Sequence, residues 1–265
     1  MIVEPIPNMR TEIPAAIKTL STEYNQINLE IDAFQEFESR VSRINPDPGT
    51  TSSISGLGYQ QEVTEDRCMK VRTAYKETVM SVPHYDEEYN DTYPLSIKEE
   101  FGSDVAVALT KSMNFTSITK SALLDSVKDA INEREKLRDV VETEKKSLTT
   151  SHNSLSDIAK DADDISKVKL NNLEFGALDA YRNQITVLFE NLNHIATKRQ
   201  NVIHNIRNKM RSSALDANIY GYFYQNLSIR HPVLAVIGDI GKILNKLKET
   251  IHTTIIYSCF ELEPT

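Results

Sequence analysis

The segment His84–Tyr89 reads HYDEEY and is the place where this chain most resembles a site. One imidazole, three carboxylates and two phenols stand within six residues. Histidine and carboxylate side chains together can bind a divalent cation or exchange protons. A metal, however, needs ligands that converge, and neighbouring residues of one stretch point in different directions. The segment therefore reads as a polar connector. Its His84, Tyr85, Asp86, Glu87 and Tyr89 are candidates for contact with a protein partner, and no metal is expected there. A second constellation is the basic run from His194 to Arg211, which has no acidic residue. Lys198, Arg207 and Arg211 are its candidates for contact with phosphate, as in nucleic-acid binding. The competing reading is ion pairing with Glu133, Glu135, Asp139, Glu142 and Glu144 of a neighbouring helix.

No other pattern carries chemistry. Phosphate-binding glycine loops, HExxH, GxSxG and CxxC are all absent from the sequence. No catalytic residue, cofactor or metal site is expected, and the chain does not read as an enzyme. Cys68 and Cys259 lie far apart, without metal-like spacing, and read as free thiols of a reducing compartment. Lys plus Arg is 30 and Asp plus Glu is 38, a formal charge of −8. This acidity disfavours non-specific nucleic-acid binding by the molecule as a whole, though not by a local basic face. No signal peptide and no apolar run long enough for a membrane span is evident. The expected location is the cytoplasm, without membrane contact.

The elements that must hold these residues are helices. Eight glycines and nine prolines make about 6 % of the 265 residues, against roughly 12 % in average usage. Few turns mean long helices. Ile17, Leu20, Tyr24, Ile27, Ile31, Phe34 and Val41 recur every three or four residues, with one missed step at Glu38, which predicts a helix over 14–44. Residues 1–13, with Pro5 and Pro7, should be extended, and the Pro-, Gly- and Ser-rich stretch 45–57 is a linker. Residues 58–113 should form a smaller helical cap, with one helix near 62–82 and another over 95–113 bent near Gly102.

The longest periodic run covers 116–169. Val127, Val141, Leu148, Leu155 and Ala162 keep a seven-residue repeat, with polar interruptions at Arg134, Glu144 and Ser151. Such a helix spans roughly 75 Å. After a break at 170–176, Leu178, Ile185, Leu188, Leu192, Ile195, Val202 and Ile206 form the cleanest heptad. A second stripe beside it, Phe189, Ala196, Ile203 and Met210, predicts three or four helical neighbours. A fold-back centred near Asn172 would set Arg199 beside Glu144 and Lys145, and Arg207 beside Leu137 and Asp139. A last helix runs from Val233 to about Tyr257, and 258–265 is a tail. The expected fold is all-α. It is an elongated antiparallel helical bundle over 14–44 and 116–257, with coiled-coil-like long helices and the cap.

Three segments also resemble a haloarchaeal family of uncharacterised helical proteins. They are VRTAYKETVMSVPHYDEEY at 71–89; EEFG at 99–102 with Phe115, Thr116 and the helix 123–148; and YGYFYQNLSIRHPVLAVIGDI at 220–240. The early helix, with Ala33, Phe34, Phe37 and Val41, fits as well. The resemblance spans about Ile17 to Ile255. It implies a family without an assigned activity and a salt-rich archaeal cytoplasm. At molar salt the Debye length is about 3 Å, so apolar seams rather than surface ion pairs would carry the fold. Long seams without a catalytic motif point to an interaction or scaffold protein, with a protein partner and room for self-association. The alternative is a nucleic-acid-associated regulator using the basic face of helix 178–211.

Overall fold

The computed structural model describes residues 7–47, 66–111, 114–211 and 218–260, and among these it contains helices and no strand. They are α1 (Pro7–Arg10), α2 (Glu12–Arg43), α3 (Arg67–Glu77), α4 (Tyr85–Glu88), α5 (Tyr93–Thr110), α6 (Ser117–Ser166), α7 (Phe175–Met210), α8 (Ile219–Phe223) and α9 (Pro232–Phe260). The protein is all-α, as composition and periodicity require. Most of the linker 45–57, the first turn of the helix expected from 62, and the end of the tail lie outside the described residues. Residues 7–10, expected to be extended, form a helical turn instead. Pro7 opens it, where a fixed φ and a missing N–H suit the first helical position. The expected tail is shorter too, since α9 continues to Phe260.

The chain divides into two compact units. The first comprises Met1–Glu23 and Val140–Thr265, the second Tyr24–Asp139. The boundaries fall inside α2 and inside α6, so the second unit is larger than a cap over 58–113. The reason is the distribution of apolar residues. Phe34, Phe37 and Val41 of α2 and Leu123, Val127 and Ala130 of α6 share one core with Val71, Tyr75, Ile97 and Phe101. Phe37 meets Tyr75 edge-on at 5.2 Å between ring centroids, and Tyr75 meets Tyr93 at 5.7 Å. Within this unit α2 and α6 run antiparallel. Arg134 bonds Glu30, and Lys120 reaches the carbonyls of Ser42 and Ile44 at 2.8 and 2.9 Å. Asp47 ties the ends of three helices together. It takes an ion pair from Arg67, and its carboxylate accepts the Phe115 N–H at 2.5 Å. The bend expected in α5 lies at Gly102, whose φ of 83° and ψ of 167° interrupt the helix.

In the first unit, the turn Leu170–Asn172 joins α6 and α7. The fold-back centred near Asn172 is observed, because Arg199 bonds Glu144 across it. α9 packs against α7 and the turn. Leu192 lies beside Gly241, where a Cβ would sit 3.8 Å from its Cδ2. The ring of His231, just before α9, is 5.4 Å from Tyr220.

Of the two rows of the α7 heptad, Leu178, Ile185, Leu192 and Ile206 stay buried to the end, whereas the row of Leu188, which Lys209 continues, does not. Leu188 is buried, Ile195 and Val202 are half-buried, and Lys209 is exposed, while Ile203 and Met210 enter the core. A straight helix turns a seven-residue repeat aside by about 20° per heptad. Leu188, Ile195, Val202 and Lys209 thus rotate step by step out of the core. The neighbouring stripe rotates in.

Candidate functional site

Two polar networks, one sealed and one half-buried, and one groove hold the chemistry that the fold assembles. The first network lies in the first unit. Glu144 occupies a heptad slot of α6 and is 0 % exposed; Arg199 occupies one of α7 and is 1 % exposed. Two guanidinium nitrogens of Arg199 donate to the two carboxylate oxygens, one at 2.7 Å. Arg199 Nη1 also donates to Ser147 Oγ at 3.0 Å. Tyr224 donates to Glu144 Oε1, and Tyr220 to Oε2 at 3.4 Å. Short α8 and its C-cap Tyr224 present these two phenols, whose rings and that of Phe223 form a triangle with centroids 6.0–6.2 Å apart. Burial first, and the Glu144 charge second, push both tyrosine hydroxyls above the ordinary phenol range, so both remain donors. Burial pulls the Arg199 guanidinium down, but the bonds and charge of Glu144 outweigh it and hold it above its usual value. His231 goes the other way. Burial, then the positive charges of Arg199 and Arg207, lower it below the ordinary histidine range.

The second network lies in the second unit. Arg134 donates to Glu30 from Nε at 2.7 Å and to Glu100 from Nη2 at 2.7 Å and Nη1 at 3.0 Å. Its guanidinium lies 4.2 Å from the centre of the Phe34 ring. Glu30 Oε1 meets His84 Nε2 at 2.9 Å and accepts from Tyr89 Oη at 2.9 Å. Arg134 is 15 % exposed, Glu30 12 % and Glu100 21 %.

The segment His84–Tyr89 is thereby divided. His84 and Tyr85 are buried, Tyr89 lies over Glu30, and Asp86 and Glu87 are exposed. The structure does not bring the five residues to one point. The basic candidates Lys198, Arg207 and Arg211 are all exposed along α7 and its C-cap. Lys198 and Arg211 are exposed and make no ion pair among the described residues, while Arg207 lies 5.7 Å from the centre of the Tyr220 ring. The expected pairing across the hairpin is realised by Glu144 and Arg199. Glu133, Glu135 and Glu142 instead pair along their own helix, with Lys136, Arg138 and Lys146.

Between α6 and α7 runs a groove of about 650 Å³. Its walls repeat every seven residues. Thr143, Thr150 and Asp157, then Ser147, Ser154 and Asp161, line α6; Leu188, Ile195 and Val202 line α7. Small hydroxyl side chains on α6 leave the space, and the drifting heptad of α7 supplies the apolar wall. Lys146 and Lys198 stand at one end, Asp157 and Asp161 at the other. Ser151 was legible as a polar interruption of the seam. The groove itself was not, because a heptad pattern does not say where a straight helix turns it into solvent. Arg134 was legible as a polar residue in an apolar slot, but its partners Glu30 and Glu100 come from distant helices that no local spacing links.

Among the described residues no group of three His, Cys, Asp or Glu side chains could hold a metal ion. Among them, too, no helix is long and apolar enough to cross a membrane. No curated protein and no solved structure matches the chain. One family model matches, over residues 11–248, and with it the chain belongs to the family described as Domain of unknown function (DUF7260).

Proposed function

We propose that this protein is a non-enzymatic interaction protein, a scaffold whose α6–α7 groove receives a helix. The observation that carries this reading is the seven-residue repeat of both groove walls. A wall with that period matches the side-chain rows of a helix laid along it, in coiled-coil fashion. A small-molecule pocket has no need of such a repeat. Both networks support the same reading, since their carboxylates are already taken up by arginine and tyrosine donors. Asp86 and Glu87 add an exposed acidic surface on the second unit for a protein partner. The setting that accompanies this reading is an archaeal cytoplasm, supported by the resemblance to haloarchaeal helical proteins.

The test is site-specific photo-crosslinking from position 195 in native-source extract at matched salt, with position 187 on the exposed face of α7 as control. A polypeptide adduct from 195 that is absent from 187 supports the groove. Equal labelling at both positions, or none, removes it.

The second reading is a nucleic-acid-associated regulator. The exposed Lys198 and Arg211, without ion-pair partners among the described residues, favour it. Its signature is binding to DNA or RNA that weakens linearly on a log–log salt plot, with a shallower slope when Lys198 is removed. Binding that does not respond to salt removes this reading.

A further inference from the structure

We infer that the helix seated in the α6–α7 groove belongs to a second copy of this chain, placed antiparallel about a two-fold axis. The inference rests on the groove reading above and adds the occupant. The argument is charge complementarity in register. Arg199 and Glu144 are in contact, and both helices rise 1.5 Å per residue in opposite directions. Asn191 is therefore level with His152. A two-fold axis half a residue beyond that level, between Asn191 and Leu192, carries Leu188 of one copy onto the level of Ile195 of the other, and Asp157 onto the level of Lys146, within one residue of Lys198. The same operation reciprocates every contact, as an isologous interface requires. Lys198, Asp157 and Asp161 have no ion-pair partner among the described residues. The half-buried Ile195 would pass over the Leu188 floor of the facing copy. Two α6–α7 hairpins then form a four-helix arrangement.

A parallel arrangement sets lysine against lysine and aspartate against aspartate, so the charges choose the antiparallel one. Like charges at such a contact cost enough to reject the wrong pairing.

Sedimentation velocity on the full chain at about 0.15 M salt tests this, with the variants Lys198→Glu and Asp157→Lys. Both positions are exposed or at the groove rim, and circular dichroism checks that each variant is folded. The unsubstituted chain is expected to be a dimer. Each variant alone sets like charges face to face and should weaken dimerisation at least about tenfold. An equimolar mixture restores both pairs and should recover the dimer. A chain that stays monomeric at micromolar concentrations overturns the inference. So does a dimer that neither variant weakens, or a mixture that stays dissociated. If the chain is monomeric while position 195 still crosslinks specifically to a different polypeptide, the second copy is wrong and the groove reading stands. If neither is seen, both fall.

Discussion

Arg199 in the first unit and Arg134 in the second each centre a polar network, and the two are held in different ways. Arg199 has a single carboxylate, Glu144, and both are essentially sealed from water. Arg134 has two, Glu30 and Glu100, and all three touch solvent. In the sealed network one charge balances one charge, and two phenols and a serine occupy the remaining positions around the pair. In the open one a guanidinium faces an excess of negative charge, with His84 on Glu30. Burial decides what such a pair contributes. In a dry site an unmatched charge is costly, so the network must be closed and becomes a fixed point of register. Near water the excess is screened, and the network can tolerate imbalance. Both arginines replace an apolar residue in a heptad seam. A polar group in that position selects one register over its neighbours, a role well attested in coiled coils.

The largest expected effect comes from breaking the sealed pair. Arg199→Met leaves Glu144 buried and unmatched and should cost about 3–5 kcal/mol in urea unfolding, with Glu144→Gln close behind. Arg134→Met should cost about 2–3 kcal/mol, the value of hydrogen bonds to charged groups where water can replace part of the loss. Salt sharpens the contrast. At about 1 M salt the Debye length is near 3 Å, so the Arg134→Met loss should shrink while the Arg199→Met loss persists. Equal losses for the two variants, or equal salt responses, would break the comparison.

Gly102 tests how the open network is positioned. It ends the first segment of α5 directly after Glu100 and Phe101, in a backbone region that L-residues avoid. An added Cβ there meets nothing within 4 Å, so Gly102→Ala reads backbone strain alone, about 1–3 kcal/mol by thermal unfolding. The phenols give smaller effects. Tyr224→Phe should lose about 1.5 kcal/mol, because a buried charged acceptor loses a donor. Tyr89→Phe should lose under about 1 kcal/mol, because Tyr89 is 43 % exposed.

The smallest effect is a pH dependence. His231 titrates below its ordinary range in the folded state, beside Arg199, Arg207, Arg230 and Glu144. The unfolded chain therefore takes up a proton first as pH falls. This contribution to stability is complete above the unfolded histidine range and is lost as pH drops through the folded value. A stability profile measured between about pH 7 and 5 should decline, and His231→Gln should flatten it.

Much of this molecule follows from local pattern. Scarce glycine and proline, three- and four-residue apolar spacing, and the break near Asn172 determined the helices, the bend at Gly102, the α6–α7 hairpin and even the meeting of Glu144 with Arg199. These are consequences of helix geometry and of distances counted along one chain. The candidate site was only partly accessible that way. His84 and Tyr89 stood out by type, but Glu30, which meets both, is separated from them by more than fifty residues. Tertiary structure alone decided that Arg134 would hold Glu30 and Glu100, that Tyr220 and Tyr224 would close over Glu144, and that the core would divide within α2 and α6. It also decided the groove. A heptad repeat states which residues can share a face, but the twist of a real helix and the neighbours packed on it determine which of them stay inside.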